Sequence, residues 1–283
     1  MNGAFLLVNR RRARIWPLSA LLTVFLLVSS LAVAAPKSEY WALWDNSNPA
    51  STVVVDHSPW QAILNAYLVV RPEGNGFRYA RVSAGDRKKL KDYLATLTAI
   101  DPHTLSKAEQ KAYWINLYNA LTVNLILDNY PVKSITDIGP WYSFGPWDMK
   151  ITRVAGQDLT LNDIEHRILR PLWQDERIHY AVNCASIGCP DLAEQAFTAQ
   201  NTDPMLSTLA RRFVQQQKGV SLAGSRLMAS RIYEWYQTDF TDQGDSGVIV
   251  YLRTVVPPAL ARQLRQYSGP IQYQYNWALN AVQ

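Results

Sequence analysis

At 283 residues, with 48% hydrophobic, 11% aromatic and only 18% charged residues, the chain is too apolar to be a disordered protein and long enough to bury one sizeable core or two small ones. The net charge of +5 is concentrated at the start: residues 1–34 carry four arginines and no acid, and without them the chain stands at +1. The basic balance therefore gives no ground for nucleic-acid binding, and two cysteines are too few for a disulfide scaffold.

Arg10, Arg11, Arg12 and Arg14 form a positive n-region, followed by the apolar run Ile15 to Val33 and the small-x-small step Ala32-Val33-Ala34. This is the pattern of a Sec signal peptide cleaved near Ala34; an uncleaved anchor is the alternative, since the run is nearly long enough to span a membrane. No cysteine follows the run, which excludes a lipoprotein anchor. The expected product is periplasmic or secreted, with no stable membrane anchor once the signal is removed.

Residues 35–105 are expected to form a helical extension packed on a body of residues 106–283. Tyr40, Trp41 and Trp44 read as a short docked helix beside the breaker cluster Asp45 to Pro49. Ser58-Pro59 opens a helix carrying Trp60, Ile63, Leu64 and Tyr67, Phe77 to Val82 alternates like a strand, and Ser83 to Ile100 has one apolar helical face. Ser106 and Glu109 form a capping-box pattern for a long central helix running to Tyr130. Asn116, Asn119 and Asn124 are unusual on such a helix: each either ties down backbone or faces a polar cavity. Residues 137–147 make an aromatic loop, a candidate lid. A strand at Met149 to Val154, a helix at Asp163 to Leu169 ended by Pro171, and a β-type run from Ile178 to Asn183 follow. Asp203 to Gln217 reads as a helix, Ser230 to Tyr236 as a strand or short helix, Ser246 to Val256 and Pro257 to Tyr267 as helices, and Ile271 to Tyr275 as a closing strand.

Between Leu161 and Leu192 the chain gathers a thiol, an imidazole and a carboxylate, the components of a nucleophilic site. Cys184 stands where the β-type run meets the small-residue loop Ala185 to Gly188, a place that exposes a nucleophile and leaves backbone amides as oxyanion donors. Four roles compete for it: catalytic thiolate, half of a Cys184–Cys189 disulfide, zinc ligand, or buried apolar cysteine. Five residues along a strand, His179 and Cys184 would face opposite sides, so His166 is the candidate base. Glu165, adjacent to it on the helix, lies about 100° round and is poorly placed to orient it; Asn116, Asn119 or Asp163 are candidates for that role. Arg170 pairs with Glu165 or binds a substrate carboxylate.

The segments KAYWINLYNALTVNLIL, LTLNDIEHRILRP, RIHYAVNCASIGCPDL, RIYEWYQTDF and YNWALN resemble, in order, the family known as domain of unknown function 547, found in bacteria and as a carboxy-terminal domain in plants. The resemblance runs from about Lys107 to Asn280. It places the family's recurring positions on Trp114, Asn116, Tyr118, Asn119, Glu165, His166, Arg170 and Cys184, while Cys189 falls where other members often carry serine. That pattern favours a nucleophile, which needs Cys184 alone, over a disulfide, which needs both cysteines. The resemblance implies no established activity. A likeness to papain- or transglutaminase-type enzymes rests only on the Cys, His and polar-orienter set, and papain has the opposite chain order.

The expectation is an α+β domain with helices around a small mixed or antiparallel sheet. Its expected activity is that of an exported thiol-dependent hydrolase or acyl/peptidyl transferase acting on an amide, peptide or ester substrate. Cys184 is the expected nucleophile and His166 the base, with Glu165, Asn116 and Asn119 orienting. Arg170, His179, Trp114 and Tyr118 are binding candidates, and no cofactor, metal or nucleic acid is called for. The alternative is a non-catalytic envelope module whose aromatic loop holds a peptide or glycan, with Cys184 and Cys189 as a structural pair.

Overall fold

The computed structural model describes Met1 and residues 36–283; the arginine cluster, the apolar run and the Ala-x-Ala step lie outside the described residues. No helix among the described residues is long and apolar enough to cross a membrane.

The fold is organised on a 23-residue helix. Three helices carry the first half: α1 (Ser58–Tyr67), α2 (Ala84–Ala99) and α3 (Lys107–Asn129). α2 and α3 start where the sequence indicates, because Ser83 and Ser106 accept from the third amide of each helix. The capping box at Ser106 is only half made: Glu109 turns away and accepts the Val55 amide at 2.8 Å, which pins the extension to the body. α3 is buried nearly all round from Glu109 to Leu127, as expected of a helix that is apolar on most faces. Trp44, Trp60, Tyr93 and Leu97 share one core with Trp114, Leu117 and Ile126, so residues before Ser106 complete the same hydrophobic unit. A second cluster unites Phe213, Leu227, Tyr233, Val248 and Leu264.

The sheets are small. β1 (Leu68–Val69) pairs with β2 (Gly76–Phe77), and β3 (Thr152–Val154) with β4 (Gln157–Leu159), both antiparallel. β5 (Val220–Ala223), β6 (Arg226–Ser230) and β7 (Ile271–Gln274) form a mixed sheet in which β5–β6 is antiparallel and β6–β7 parallel. Helices therefore dominate an α+β architecture, as composition and patterning imply. Of the expected strand Phe77 to Val82 only Phe77 pairs, together with Gly76 before it; Tyr79–Arg81 is a 3-10 turn instead.

Two departures matter for the site. Pro171 does not end the helix: a π-helical stretch, Asp163–Leu169, runs into α4 (Arg170–Trp173). The proline has no N–H to offer Arg167, and that carbonyl accepts the Trp41 amide at 3.3 Å, while the His166 carbonyl accepts Glu39 at 2.9 Å. The extension thus satisfies the acceptors that the irregular helix leaves open. The expected strand at 178–183 is also absent, because Glu176–Tyr180 is a 3-10 helix capped by Asp175. The alternating-face argument that sets His179 and Cys184 on opposite sides does not hold. Beyond it lie α5 (Thr202–Gln215), α6 (Ile232–Trp235), α7 (Gln237–Phe240), α8 (Gly244–Val255) and α9 (Pro258–Gln266).

Candidate active site at Cys184

The loop bearing Cys184 is held from two sides. From α3, Asn119 donates to the Ala181 carbonyl and accepts from the Asn183 amide, both at 2.8 Å. Asn183 in turn donates to the Pro190 carbonyl at 2.7 Å and accepts the Ala185 amide at 2.9 Å, closing the loop on itself. Asn116 makes the same two-point clamp on Phe197. Both amides expected to orient a base therefore bind backbone with oxygen and nitrogen alike, and act by positioning. From the other side, residues 276–280 pair with the loop: Ile187 donates to Ala278, Gly188 to Asn276, and Asn280 to Ala185. A Cβ at Gly188 would meet the Asn276 nitrogen at 2.6 Å, so only glycine permits this approach.

Two stability predictions follow from these clamps. Asn119→Ala leaves a buried carbonyl and a buried amide unpaired and is expected to cost about 1–3 kcal/mol, read as a lower urea midpoint at unchanged slope. Gly188→Ala is expected to cost about 1–3 kcal/mol through overpacking against rigid backbone and to raise protease cleavage within 184–190.

Cys184 is 9% exposed and Cys189 buried; both are free thiols. The Cys184 sulfur lies 3.1 Å from the Ser186 hydroxyl and 3.0 Å from the Tyr275 hydroxyl. Burial pushes this thiol up, but the Cys189 thiol, the hydroxyls of Ser186 and Tyr275 and the Ser186 amide outweigh it and bring the thiol down to about 7. Cys189 moves the other way: burial and the neighbouring Cys184 hold it well above the ordinary thiol value. Ala185, next to the sulfur-bearing residue, has a φ of +59°, a left-handed conformation that costs a non-glycine residue of order 1–3 kcal/mol. The expected amide oxyanion donors are not free. The amides of Ala185, Ile187, Gly188 and Cys189 all bond within the protein, and that of Ser186 faces the sulfur.

A second polar cluster lies beyond two tyrosines. Arg170 grips Asp239 with Nε at 2.6 Å and Nη2 at 2.9 Å, and its Nη1 donates to the Pro36 carbonyl and to His166 Nδ1. His179 Nε2 lies 2.7 Å from the same Asp239, and its ring stacks on Tyr236 at 4.3 Å. Glu165 sits 3.7 Å from His179 and 3.9 Å from His166. Burial raises Glu165, but His166, His179 and Arg170 together bring it down to about 2. Burial raises the hydroxyls of Tyr118 and Tyr236, and the charges of Glu165 and Cys184 raise them further.

This geometry corrects the role read for His166. Burial lowers it to about 4, so it is neutral at pH 7. Its Nδ1 lone pair accepts from Arg170, which leaves the proton on Nε2. A ring in that tautomer has no free lone pair, and no hydrogen bond among the described residues joins it to Cys184. The binding candidates are interior as well. Trp114 is fully buried edge-to-face against Trp44, Tyr118 is buried, and Arg170 and His179 are held by Asp239. Asp163 caps Thr160 and pairs with Arg167.

Sequence reasoning missed Asp239, Ser186 and Tyr275. Asp239 is the last residue but one of the RIYEWYQTDF segment, Ser186 lies in the small-residue loop, and Tyr275 follows β7. Around Tyr275 an aromatic wall continues through Trp235 and Trp277, at 4.7 and 4.5 Å, to Phe144 and Trp147 of the 137–147 loop. That loop adjoins the sulfur's partner, but its tip projects outward, with Trp141 95% and Tyr142 76% exposed.

The model of the family described as "Protein of unknown function, DUF547" matches residues 102–214. Over that stretch, less than half of its length, the chain is similar to that family. The matched region contains α3, the π-helix and Cys184, and ends before Asp239 and Tyr275, which complete the two clusters. No curated protein and no solved structure matches the chain, and the papain-type pairing of sulfur with imidazole is not made.

Proposed function

We propose that this protein performs thiol-dependent acyl transfer, as a hydrolase or transferase acting on an amide or ester bond, with Cys184 as nucleophile. The observation that carries this reading is the donor set on one sulfur: two hydroxyls at 3.0 and 3.1 Å and the Ser186 amide. Such donors favour the anion, which is the reactive form of a cysteine. The thiolate attacks the acyl carbonyl, forming a carbon–sulfur bond. The leaving amine or alcohol takes its proton from the nearest hydroxyl, that of Tyr275, which burial holds far above its ordinary value. Water or an acceptor amine then adds to the thioester, its proton returns to the Tyr275 oxygen, and the carbon–sulfur bond breaks to release the acyl product and regenerate the Cys184 thiolate. No imidazole base is needed where the thiol is already ionised, and the Glu165–His179–Asp239–Arg170 cluster serves as a rigid floor. The leader pattern of residues 10–34 supports action in the periplasm or outside the cell.

The test is acylation by a panel of p-nitrophenyl esters and acyl-directed thiol probes, with Cys184→Ala as control. Covalent modification of wild type and its loss in the variant are expected; equal modification of both contradicts the proposal. The exposed pair Trp141 and Tyr142 favours a second reading, an envelope module that holds a peptide or glycan. That reading predicts binding unaffected by Cys184→Ala and abolished by Trp141→Ala.

A further inference from the structure

In the acyl transfer just described Cys189 only helps to hold the Cys184 sulfur ionised and forms no bond to substrate, yet it is built into the nucleophile's own loop. Its sulfur accepts the Cys184 backbone amide at 3.0 Å and faces the Val182 carbonyl at 3.8 Å. Its chain position is fixed by three further bonds: its amide to Ser186, the Asn183 side chain to the Pro190 carbonyl, and Lys218 to the Cys189 carbonyl at 2.7 Å. Two free thiols are thereby held on either side of a single backbone amide. Cys184 has two hydroxyls on its sulfur, those of Ser186 and Tyr275, whereas Cys189 has Tyr275 alone.

We infer that Cys184 and Cys189 are a peroxide-reactive redox pair, in which Cys184 is the site oxidised by a small hydroperoxide and Cys189 the resolving thiol. This rests on the same ionised sulfur as the proposed acyl transfer. In the first step the Cys184 thiolate attacks the peroxide oxygen. A sulfur–oxygen bond forms, the O–O bond breaks, and the alkoxide or hydroxide leaves with a proton from solvent. Sulfur loses two electrons and the peroxide gains them, leaving a sulfenic acid.

In the second step Cys189 gives up its proton and attacks the Cys184 sulfur. The S–S bond forms, the S–O bond breaks, and the released hydroxide takes that proton as water. The polarity of the pair suits this order. Cys189 is held neutral by burial and then by its bond to, and the charge of, Cys184. Oxidation of Cys184 to the neutral sulfenic acid removes the latter two, while the Cys184 amide continues to favour the Cys189 anion. A dithiol reductant reverses the bridge by exchange. The bridged form has no nucleophile, so acyl transfer and peroxide sensing exclude one another at one sulfur.

The experiment treats the reduced full-length protein with one equivalent of hydrogen peroxide, followed by intact mass and peptide mapping. Expected are the loss of two hydrogens and a Cys184–Cys189 linked peptide, reversed by dithiothreitol. In Cys189→Ala, dimedone is expected to trap a sulfenic acid on Cys184. Iodoacetamide labelling of the untreated reduced protein at pH 7 is run in parallel. Normal labelling of Cys184 with overoxidation to sulfinic acid and no linked peptide overturns the redox pair while the thiolate stands. Absence of both labelling and linkage overturns the two together.

Discussion

Asp239→Ala is expected to lower the unfolding free energy by about 3–5 kcal/mol, the scale for removing one partner of a buried ion pair. Arg170 is almost wholly buried, with a side chain 3% exposed, and it would be left facing a cavity beside His179, with only the more distant Glu165 as counter-charge. The cost arises from the stranded guanidinium more than from the intrinsic strength of the pair. Urea unfolding at pH 7 checks the magnitude.

The pH dependence carries the sign. Asp239 and Glu165 are both held below the ordinary carboxylate range in the folded state. Their contribution is therefore complete above the unfolded value of about 4 and is lost as pH falls through the folded values. His166 adds an earlier loss: kept neutral down to about 4 when folded, it binds a proton in the unfolded chain below about 6.5. Stability should decline from about pH 6.5 downward. Asp239→Asn should flatten only the portion below about pH 4.

Ser186→Ala and Tyr275→Phe are expected to act on reactivity. Hydrogen bonds to a charged group contribute about 1.5–3 kcal/mol, so loss of either hydroxyl should raise the Cys184 thiol by about one to two pH units. The fraction of thiolate at pH 7, and with it the alkylation rate, should fall by about five- to fiftyfold. The two hydroxyl oxygens also lie 2.9 Å apart, so removing one changes where the other's single proton points. Their effects should consequently be non-additive, with the double variant closer to the larger single effect than to the sum. His166→Asn, by contrast, should leave the alkylation profile of a folded protein nearly unchanged, since its ring does not bond to the sulfur.

The helices were legible because their signals are local. Ser83 and Ser106 cap where they stand, and the apolar positions of α2 and α3 repeat at helical spacing. The loop around Cys184 was legible as chemistry, though not as geometry. Ile178, Tyr180 and Val182 alternate as a strand would, but Asp175 caps a 3-10 turn there and Asn119 takes the backbone bonds a sheet would use. The alternation is what sets His179 on the face opposite Cys184 and leaves it only a binding candidate. The partners that define the two clusters, Asp239 and Tyr275, lie 60 and 91 residues from the side chains they bind, a separation that periodicity does not reach. His166 and Asn116 had the right chemistry for catalysis, but tertiary partners occupy both.

The most direct test of an ionised Cys184 is the pH dependence of its carbamidomethylation rate in the folded, reduced protein, followed by peptide mapping from pH 5 to 10. An inflection near pH 7, displaced upward in Tyr275→Phe, is the result expected from the donors on the sulfur. A rate that rises only through about pH 8.5, the value of an ordinary thiol, or a Cys184 that labels only after unfolding, would contradict it.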